Sequence, residues 1–172
     1  MNELYTNKEE IIAACNEALK LAPAEYPPDL PPSKDLLDAP DWYRFEHNAW
    51  PIGERIRQSL QRNPKLKVDC DVLEKIIEVI RCKNLRRGQQ SFSMALGFVT
   101  ARPYADDISP FLSDKDIDGQ IVDTLLKMKA DGHAREVEPL VQSKHTWIKN
   151  LAKKYLERYP LSIEQSASND AQ

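Results

Sequence analysis

Apolar residues recur every three or four positions along most of the chain, the spacing that places them on one face of an α-helix. Glycine is scarce, with five residues in 172, so few positions disfavour a helix. We therefore predict an all-α protein. Its N-terminal helix would cover residues 7–22, beginning at the capping-box pattern of Thr6 and Glu9 and ending before Pro23.

Prolines interrupt this pattern between residues 23 and 40, where six of the chain's twelve prolines lie. Each proline removes a helical hydrogen-bond donor and restricts the residue before it, so this segment must be extended or turning. Its apolar side chains, such as Tyr26, predict that it lies along the helices. Residues 41–69 then predict aromatic capping helices, the first beginning at Asp41 and the second with Pro51 in its first turn.

A central helix is predicted next, because apolar residues cover most of its circumference after a cap at Asp71. Further helices are predicted over 85–101 and from about Ile117 to Ala130. Residues 161–172 are polar, and we expect this tail to be disordered. The length suits one domain, so we predict a single helical domain over residues 1–160.

A helical hairpin is repeated in the C-terminal half, most clearly over residues 104–159. The copies align with an offset of 29, which becomes 30 after one extra connecting residue. The coinciding pairs are Ala105 and Ala134, Ile108 and Val137, Pro110 and Pro139, Leu112 and Val141, Ile117 and Trp147, Ile121 and Leu151, Val122 and Ala152, Leu125 and Tyr155, and Leu126 and Leu156. A fainter copy 31 residues upstream extends the predicted hairpins to residues 70–159. Such hairpins must stack, because one alone cannot bury its apolar face.

The sequences SPFLSDKDIDGQIVDTLLKM and EPLVQSKHTWIKNLAKKYL resemble HEAT repeats. In that family a first helix ends in a P-L-L-like run, and an Asp-containing turn leads to the second helix. The copies here are shorter than the family's usual repeat, and Ser143 stands where the first copy has Asp114. The resemblance implies stacked antiparallel helical hairpins, either as a right-handed α–α superhelix or as a compact irregular bundle.

The run from Asp114 to Gly119 copies the D-x-D-x-D-G start of an EF-hand calcium loop. Calcium binding requires a carboxylate at the twelfth position of such a loop, and that position is Leu125. The repeat also places Ile117 inside a helix. We therefore expect no metal here and interpret Asp114 and Asp116 as helix caps.

Histidines and cysteines give no pattern of a catalytic or metal site. They are His47, His133 and His145, with Cys15, Cys70 and Cys82. No two histidines have the spacing of a metal pair and the cysteines form no CxxC, so we expect reduced structural thiols. His133 and His145 are predicted to be exposed at helix ends. The sequence has no nucleotide-binding or nucleophile motif, and we expect no enzymatic activity, catalytic residue or cofactor.

Charge is distributed unevenly along the chain. Residues 1–50 carry four basic and ten acidic side chains, whereas residues 51–172 carry 20 basic and 17 acidic ones. An acidic front on a mildly basic helical body suits a protein partner better than nucleic acid, which usually calls for a strongly basic face. The candidate partner-binding residues are Asp41, Trp42, Tyr43, Glu46, Arg86, Arg87, Lys149 and Lys153. Their alternative roles are to cap the helical stack, for the aromatic residues, and to form solvated helix faces, for the basic ones.

The leading functional hypothesis is a non-enzymatic protein-binding module, such as an immunity protein whose acidic front neutralises a basic nuclease toxin. One alternative is nucleic-acid binding or DNA repair, since HEAT-like proteins include glycosylases for alkylated purines. Another is a structural subunit of a larger assembly. We expect a cytoplasmic protein without membrane contact, because the sequence has no secretory signal and no apolar run of roughly 18–20 residues.

Overall fold

The structure, a computed structural model, describes residues 3–30 and 42–161. These residues form helices and connections without any β-strand, which confirms the all-α fold. The α-helices are α1 (Lys8–Lys20), α2 (Arg44–Arg62), α3 (Cys70–Arg81), α4 (Gln90–Ala95), α5 (Ala105–Ile108), α6 (Asp118–Met128), α7 (Ala134–Val137) and α8 (Thr146–Arg158). The 3₁₀ segments are Leu66–Val68, Lys83–Gln89, Val99–Tyr104, Ser109–Ser113 and Glu138–Gln142. Among these helices, none is long and apolar enough to cross a bilayer.

The chain divides between Leu96 and Gly97 into two compact units. In the N-terminal unit α3 packs against α1 and α4, and α2 packs against α4 and the 3₁₀ segment Lys83–Gln89. Six apolar residues of α3 are buried, so this helix is central, as predicted. Gly53 lets α2 approach α4 closely, because a Cβ atom there would lie 2.2 Å from Ser91 Oγ and 2.9 Å from the backbone N of Phe92.

Residues 44–62 form one continuous helix, so the prediction of a short aromatic helix followed by a separate helix beginning at Pro51 was wrong. Pro51 lies on the exposed side of α2, where losing a helical hydrogen bond leaves an acceptor that water can reach. The buried residues Ala49, Gly53 and Ile56 continue the apolar face across the proline. Tertiary packing of this face therefore outweighs the local preference of proline.

Two helix caps also differ from the predicted ones. Asn7 caps α1, because its side-chain oxygen accepts a hydrogen bond from Glu10 N at 2.9 Å. Asp69 caps α3 in the same way, through Val72 N at 3.2 Å. Asp71 instead lies in the first turn of α3 and pairs with Lys8 at 2.7 Å.

The predicted helix over 85–101 is broken into three pieces. Arg86 has φ 48° and ψ −128°, which ends regular helical geometry inside the 3₁₀ segment Lys83–Gln89. After α4, Phe98 is extended, and a second 3₁₀ segment begins at Val99. The apolar spacing was correct, but it could not reveal the left-handed residue at its start.

The C-terminal unit contains the same order of elements twice. A four-residue α-helix, a five-residue 3₁₀ segment and a longer α-helix appear first as α5 to α6 and again as α7 to α8. The short helices and 3₁₀ segments of the two copies are offset by 29 residues, as the sequence repeat predicts. In this unit α6 packs against α8, and α7 packs against Ser109–Ser113. The upstream copy lies in the other unit, where a long α-helix precedes the 3₁₀ segment.

Candidate binding surfaces

Five of the predicted partner-binding residues form one cluster in the N-terminal unit. Trp42, Tyr43 and Glu46 lie at the start of α2, and Arg86 and Arg87 lie in the 3₁₀ segment that packs against it. The Arg87 guanidinium lies 5.5 Å from the centre of the Trp42 ring, and the Arg86 guanidinium lies 5.8 Å from the centre of the Tyr43 ring. We call these five residues the aromatic–arginine cluster. Asp41, the sixth candidate from this region, lies outside the described residues.

Glu46 is fully buried at the centre of the aromatic–arginine cluster. Its carboxylate accepts hydrogen bonds from Tyr43 N at 2.7 Å and from Arg87 N at 3.2 Å. The Arg87 side chain donates two more, from Nε at 3.0 Å and from Nη2 at 2.9 Å. Glu46 therefore fixes the start of α2 against the neighbouring 3₁₀ segment and offers no surface to a partner.

Arg86 is also buried, and it holds the beginning of the proline-rich segment. Its guanidinium donates hydrogen bonds to the carbonyl oxygen of Pro28 and to Asp29 Oδ1, both at 2.7 Å. Asn84 Nδ2 donates to the carbonyl oxygen of Pro23 at 2.9 Å. Residues 23–30 thus lie along the helices as predicted, whereas 31–40 fall outside the described residues. Arg86 has a positive φ, which costs free energy for a residue other than glycine. The hydrogen bonds of its side chain to Pro28 and Asp29 have to offset that cost.

The remaining two candidates, Lys149 and Lys153, lie one turn apart on α8 in the C-terminal unit. Lys149 is half-buried and Lys153 is exposed. Beside them on α8 is a second row of side chains that the sequence did not single out, formed by Trp147, Leu151, Lys154 and Arg158. We call these four residues the α8 stripe. Their spacing of four, three and four residues places them on one helix face.

The α8 stripe is open although the repeat buries the equivalent residues of α6. Trp147 is 48% exposed, Lys154 and Arg158 are exposed, and Leu151 is half-buried. Their counterparts at an offset of 30 residues are Ile117, Ile121, Thr124 and Met128, and all four are 0% exposed. Two features of the sequence could have indicated this difference. The repeat aligns Trp147 with Ile117, and a terminal repeat has one face without a neighbour.

The Trp147 ring is held in place by Gly119 of α6. A Cβ atom on Gly119 would lie 2.1 Å from Trp147 Cη2 and 2.5 Å from Cζ3, so only glycine leaves room for the ring. The tip of the indole thus packs against the α6 backbone while almost half of the residue's surface remains exposed. A fixed and accessible tryptophan is the type of side chain that dominates the energy of protein interfaces.

A separate concave site in the C-terminal unit surrounds His133. A cavity of about 680 Å³ is lined by Val99, Thr100, Arg102, Pro103, Ala105, Asp106, Ala130, Asp131 and His133. His133 was predicted to be exposed but is buried, and its backbone N donates a hydrogen bond to the buried Tyr155 hydroxyl at 3.3 Å. Its Nε2 atom lies 3.7 Å from Asp106 Oδ1. Arg102 pairs with Asp131, and a hydrogen bond from the backbone of Asp131 itself, together with this pairing, holds the pKa of Asp131 below its usual range. Arg102 and Asp131, two of the charged residues lining this cavity, are thus paired with each other.

The aspartates that imitate a calcium loop serve local structure. Asp114 Oδ1 accepts a hydrogen bond from Asp116 N at 3.0 Å, and α6 begins at Asp118 without a side-chain cap. The prediction that Asp114 and Asp116 cap this helix was therefore wrong in detail, since Asp114 caps the preceding turn. Asp118 is buried, and desolvation raises the pKa of its carboxyl. Within the described residues, no three His, Cys, Asp or Glu side chains are grouped as metal ligands.

The cysteines differ in their accessibility. Cys15 is buried, which raises the pKa of its thiol to about 12. Burial also raises the pKa of the half-buried Cys82, and Cys70 is exposed. A raised pKa leaves a thiol protonated at neutral pH, so Cys15 and Cys82 are poor nucleophiles.

Comparisons of the chain with protein-family models, with curated proteins and with solved structures each found no match.

Proposed function

We propose that this chain is a non-enzymatic protein-binding module and that the α8 stripe is its binding surface. The observation that carries this proposal is the contrast between the open stripe and its fully buried counterpart on α6. In a repeat protein the face that is buried in one copy has the shape and apolar character to be buried in the next copy as well. The exposed face of α8 is therefore suited to being covered by a partner. Trp147 gives that face a rigid aromatic anchor.

The architecture that we propose for the C-terminal unit is a short HEAT-like stack. The repeated order of elements in α5–α6 and α7–α8 supports it, as does the packing of α6 against α8. Stacked hairpins of this kind expose an unfinished face at the end of the array unless a cap covers it. In this view α8 is the last helix of the stack, and a partner completes it.

The test is a comparison of two variants in affinity purification from a native lysate of the source cells. Trp147→Ala removes the anchor, while Val68→Ala shortens an exposed side chain of the N-terminal unit that is 59% exposed and serves as the matched control. We expect a stoichiometric protein to be retained by the wild type and by Val68→Ala, and to be lost with Trp147→Ala. Equal recovery by all three chains, or no stoichiometric protein at all, would contradict the proposal.

An alternative proposal, which uses a different surface of the chain, is that the partner is a basic nuclease toxin and that the chain is its inhibitor. The support is the set of outward carboxylates on α1, where Glu9, Glu10 and Glu17 are exposed. A row of carboxylates can imitate nucleic acid to a basic active site. Replacing the three residues with glutamine should then abolish protection against the toxin, whereas Trp147→Ala should leave it intact.

Nucleic-acid binding is the second candidate, favoured by the basic side chains around Trp147 on α8. It predicts an affinity that falls steeply with salt and that is lost on charge reversal of Lys149, Lys153 and Lys154. The buried Arg86 contributes nothing in this case, because its guanidinium is bonded to Pro28 and Asp29. Absence of binding to a labelled duplex and a labelled single strand at low salt would eliminate this candidate.

A further inference from the structure

We infer that the α8 stripe binds an acidic amphipathic helix of a partner protein. This inference rests on the proposed protein-binding function and adds the chemistry of the partner. Its starting point is the shape of the surface. Trp147 and Leu151 are one turn apart and form an apolar ridge at the N-terminal end of the stripe. An apolar ridge with this spacing packs against the matching ridge of a second helix.

The charges on and beside the stripe define the partner's polar side chains. Lys154 and Arg158 continue the stripe toward the C-terminus, and Lys144 lies in the turn before α8. Residues 143–161 carry five basic side chains and one acidic side chain, Glu157. Lys154 and Arg158 form no ion pair within residues 3–30 and 42–161, although the Arg158 guanidinium lies 5.4 Å from the centre of the Tyr159 ring. No carboxylate among these residues neutralises the two charges, so they are available to carboxylates of a partner.

The repeat supports a helix rather than a nucleic acid as the occupant. In the first copy the equivalent residues Ile117, Ile121 and Met128 are buried, and the elements that pack against α6 are helical, among them α8 and the 3₁₀ segments Ser109–Ser113 and Val99–Tyr104. A phosphate backbone would pair with Lys154 and Arg158 but would leave Leu151 without an apolar contact. An amphipathic helix with leucines on one face and glutamates along its edges can pack against the ridge and pair with both cations.

The experiment measures binding of two synthetic helical peptides to the full chain by fluorescence anisotropy. Both peptides have leucine at the apolar heptad positions, and they carry either glutamate or lysine at all the others. A labelled single-stranded DNA of similar length is the third probe. We expect the glutamate peptide to bind at least about tenfold more tightly than the lysine peptide, and more tightly than the DNA.

Two variants and a matched control locate the site. Trp147→Ala should weaken binding of the glutamate peptide about 30-fold, as expected for loss of an interface anchor. The double change Lys154→Glu and Arg158→Glu should abolish this binding. Lys115→Glu reverses an exposed charge in the turn before α6 and should leave the affinity unchanged. Circular dichroism of each variant checks that the helices are retained.

Several results would overturn the inference. Equal binding of the two peptides, no binding of the glutamate peptide, or tighter binding of the DNA would each do so. The glutamate peptide could also bind a chain shortened to end at Leu161 but not the full chain. That result would mean that residues 162–172 of the chain itself occupy the stripe, and it would also refute the inference. If lysate capture depends on Trp147 while reversal of Lys154 and Arg158 has no effect, protein binding stands and only the acidic-helix inference fails.

Discussion

Removing the carboxylate of Glu46 should strongly destabilise the N-terminal unit. Glu46→Ala deletes the acceptor of four hydrogen bonds, from Tyr43 N and from three nitrogen atoms of Arg87. It also leaves the Arg87 guanidinium without its carboxylate. Breaking a buried ion pair by removing one partner typically costs about 3–5 kcal/mol, because the remaining charge stays desolvated.

The exposure of Arg87 places the expected loss within that range. The Arg87 side chain is 19% exposed, whereas Glu46 is completely buried. Water can therefore reach part of the unpaired guanidinium, which lowers the cost toward about 3 kcal/mol. Glu17→Ala is the matched control, because Glu17 is exposed and its ion pair among the described residues is with Lys20 on the surface of α1. Its expected effect is below about 0.5 kcal/mol.

Urea unfolding followed by tryptophan fluorescence measures this loss. In a Trp147→Phe background the two remaining tryptophans, Trp42 and Trp50, both lie in the N-terminal unit and report its unfolding alone. Adding Arg87→Met to Glu46→Ala should recover part of the lost stability, since the double variant no longer contains an unpaired cation. A loss of less than about 1 kcal/mol for Glu46→Ala, with an unchanged m-value, would refute this account of the ion pair.

Three further predictions concern close packing, thiol reactivity and pH. Gly53→Ala should lower the free energy of unfolding in urea by about 2–3 kcal/mol, because its Cβ atom would meet the backbone of α4. Gly132→Ala should lower it by about 1 kcal/mol, because a Cβ atom there has open space and only the φ of 94° is unfavourable. At pH 8 a thiol reagent should modify Cys70 in the folded chain and Cys15, whose pKa is about 12, only after denaturation. Burial also raises the pKa of Tyr155 to about 12 from 10.0, so the stability that it contributes is complete below pH 10 and is lost between about pH 10 and 12. Unfolding curves across this interval should show that loss, and Tyr155→Phe should remove it.

Apolar periodicity predicted the fold class and the main packing of the chain. It identified α3 as the central helix and the repeated order of elements in the C-terminal unit, because both depend on apolar spacing along the chain. It failed at Pro51, where packing of α2 keeps the helix continuous. It failed again at Arg86, whose left-handed backbone depends on contacts with residues 27–29, far away in the sequence.

The candidate residues were only partly predictable for the same reason. The sequence identified Trp42, Tyr43, Arg86 and Arg87 as candidate partner-binding residues, and the structure brings them together. It could not show that Glu46 of α2 bonds to Arg87, because a pair 41 residues apart leaves no local pattern. The exposure of Trp147 could be inferred only from its place in the last repeat, since its repeat partner Ile117 is fully buried.

Unpaired charges on the described surface support the proposed acidic partner. Glu46 is bonded to Arg87 and Asp29 to Arg86, so part of the acidic charge of residues 1–50 is neutralised within the fold. On α8, by contrast, Lys154 and Arg158 are exposed beside the fixed Trp147 ring. Net charge by segment therefore overstates the attraction to a basic partner. The charge that the fold leaves open beside an apolar anchor is positive, and it favours carboxylates on the opposing surface.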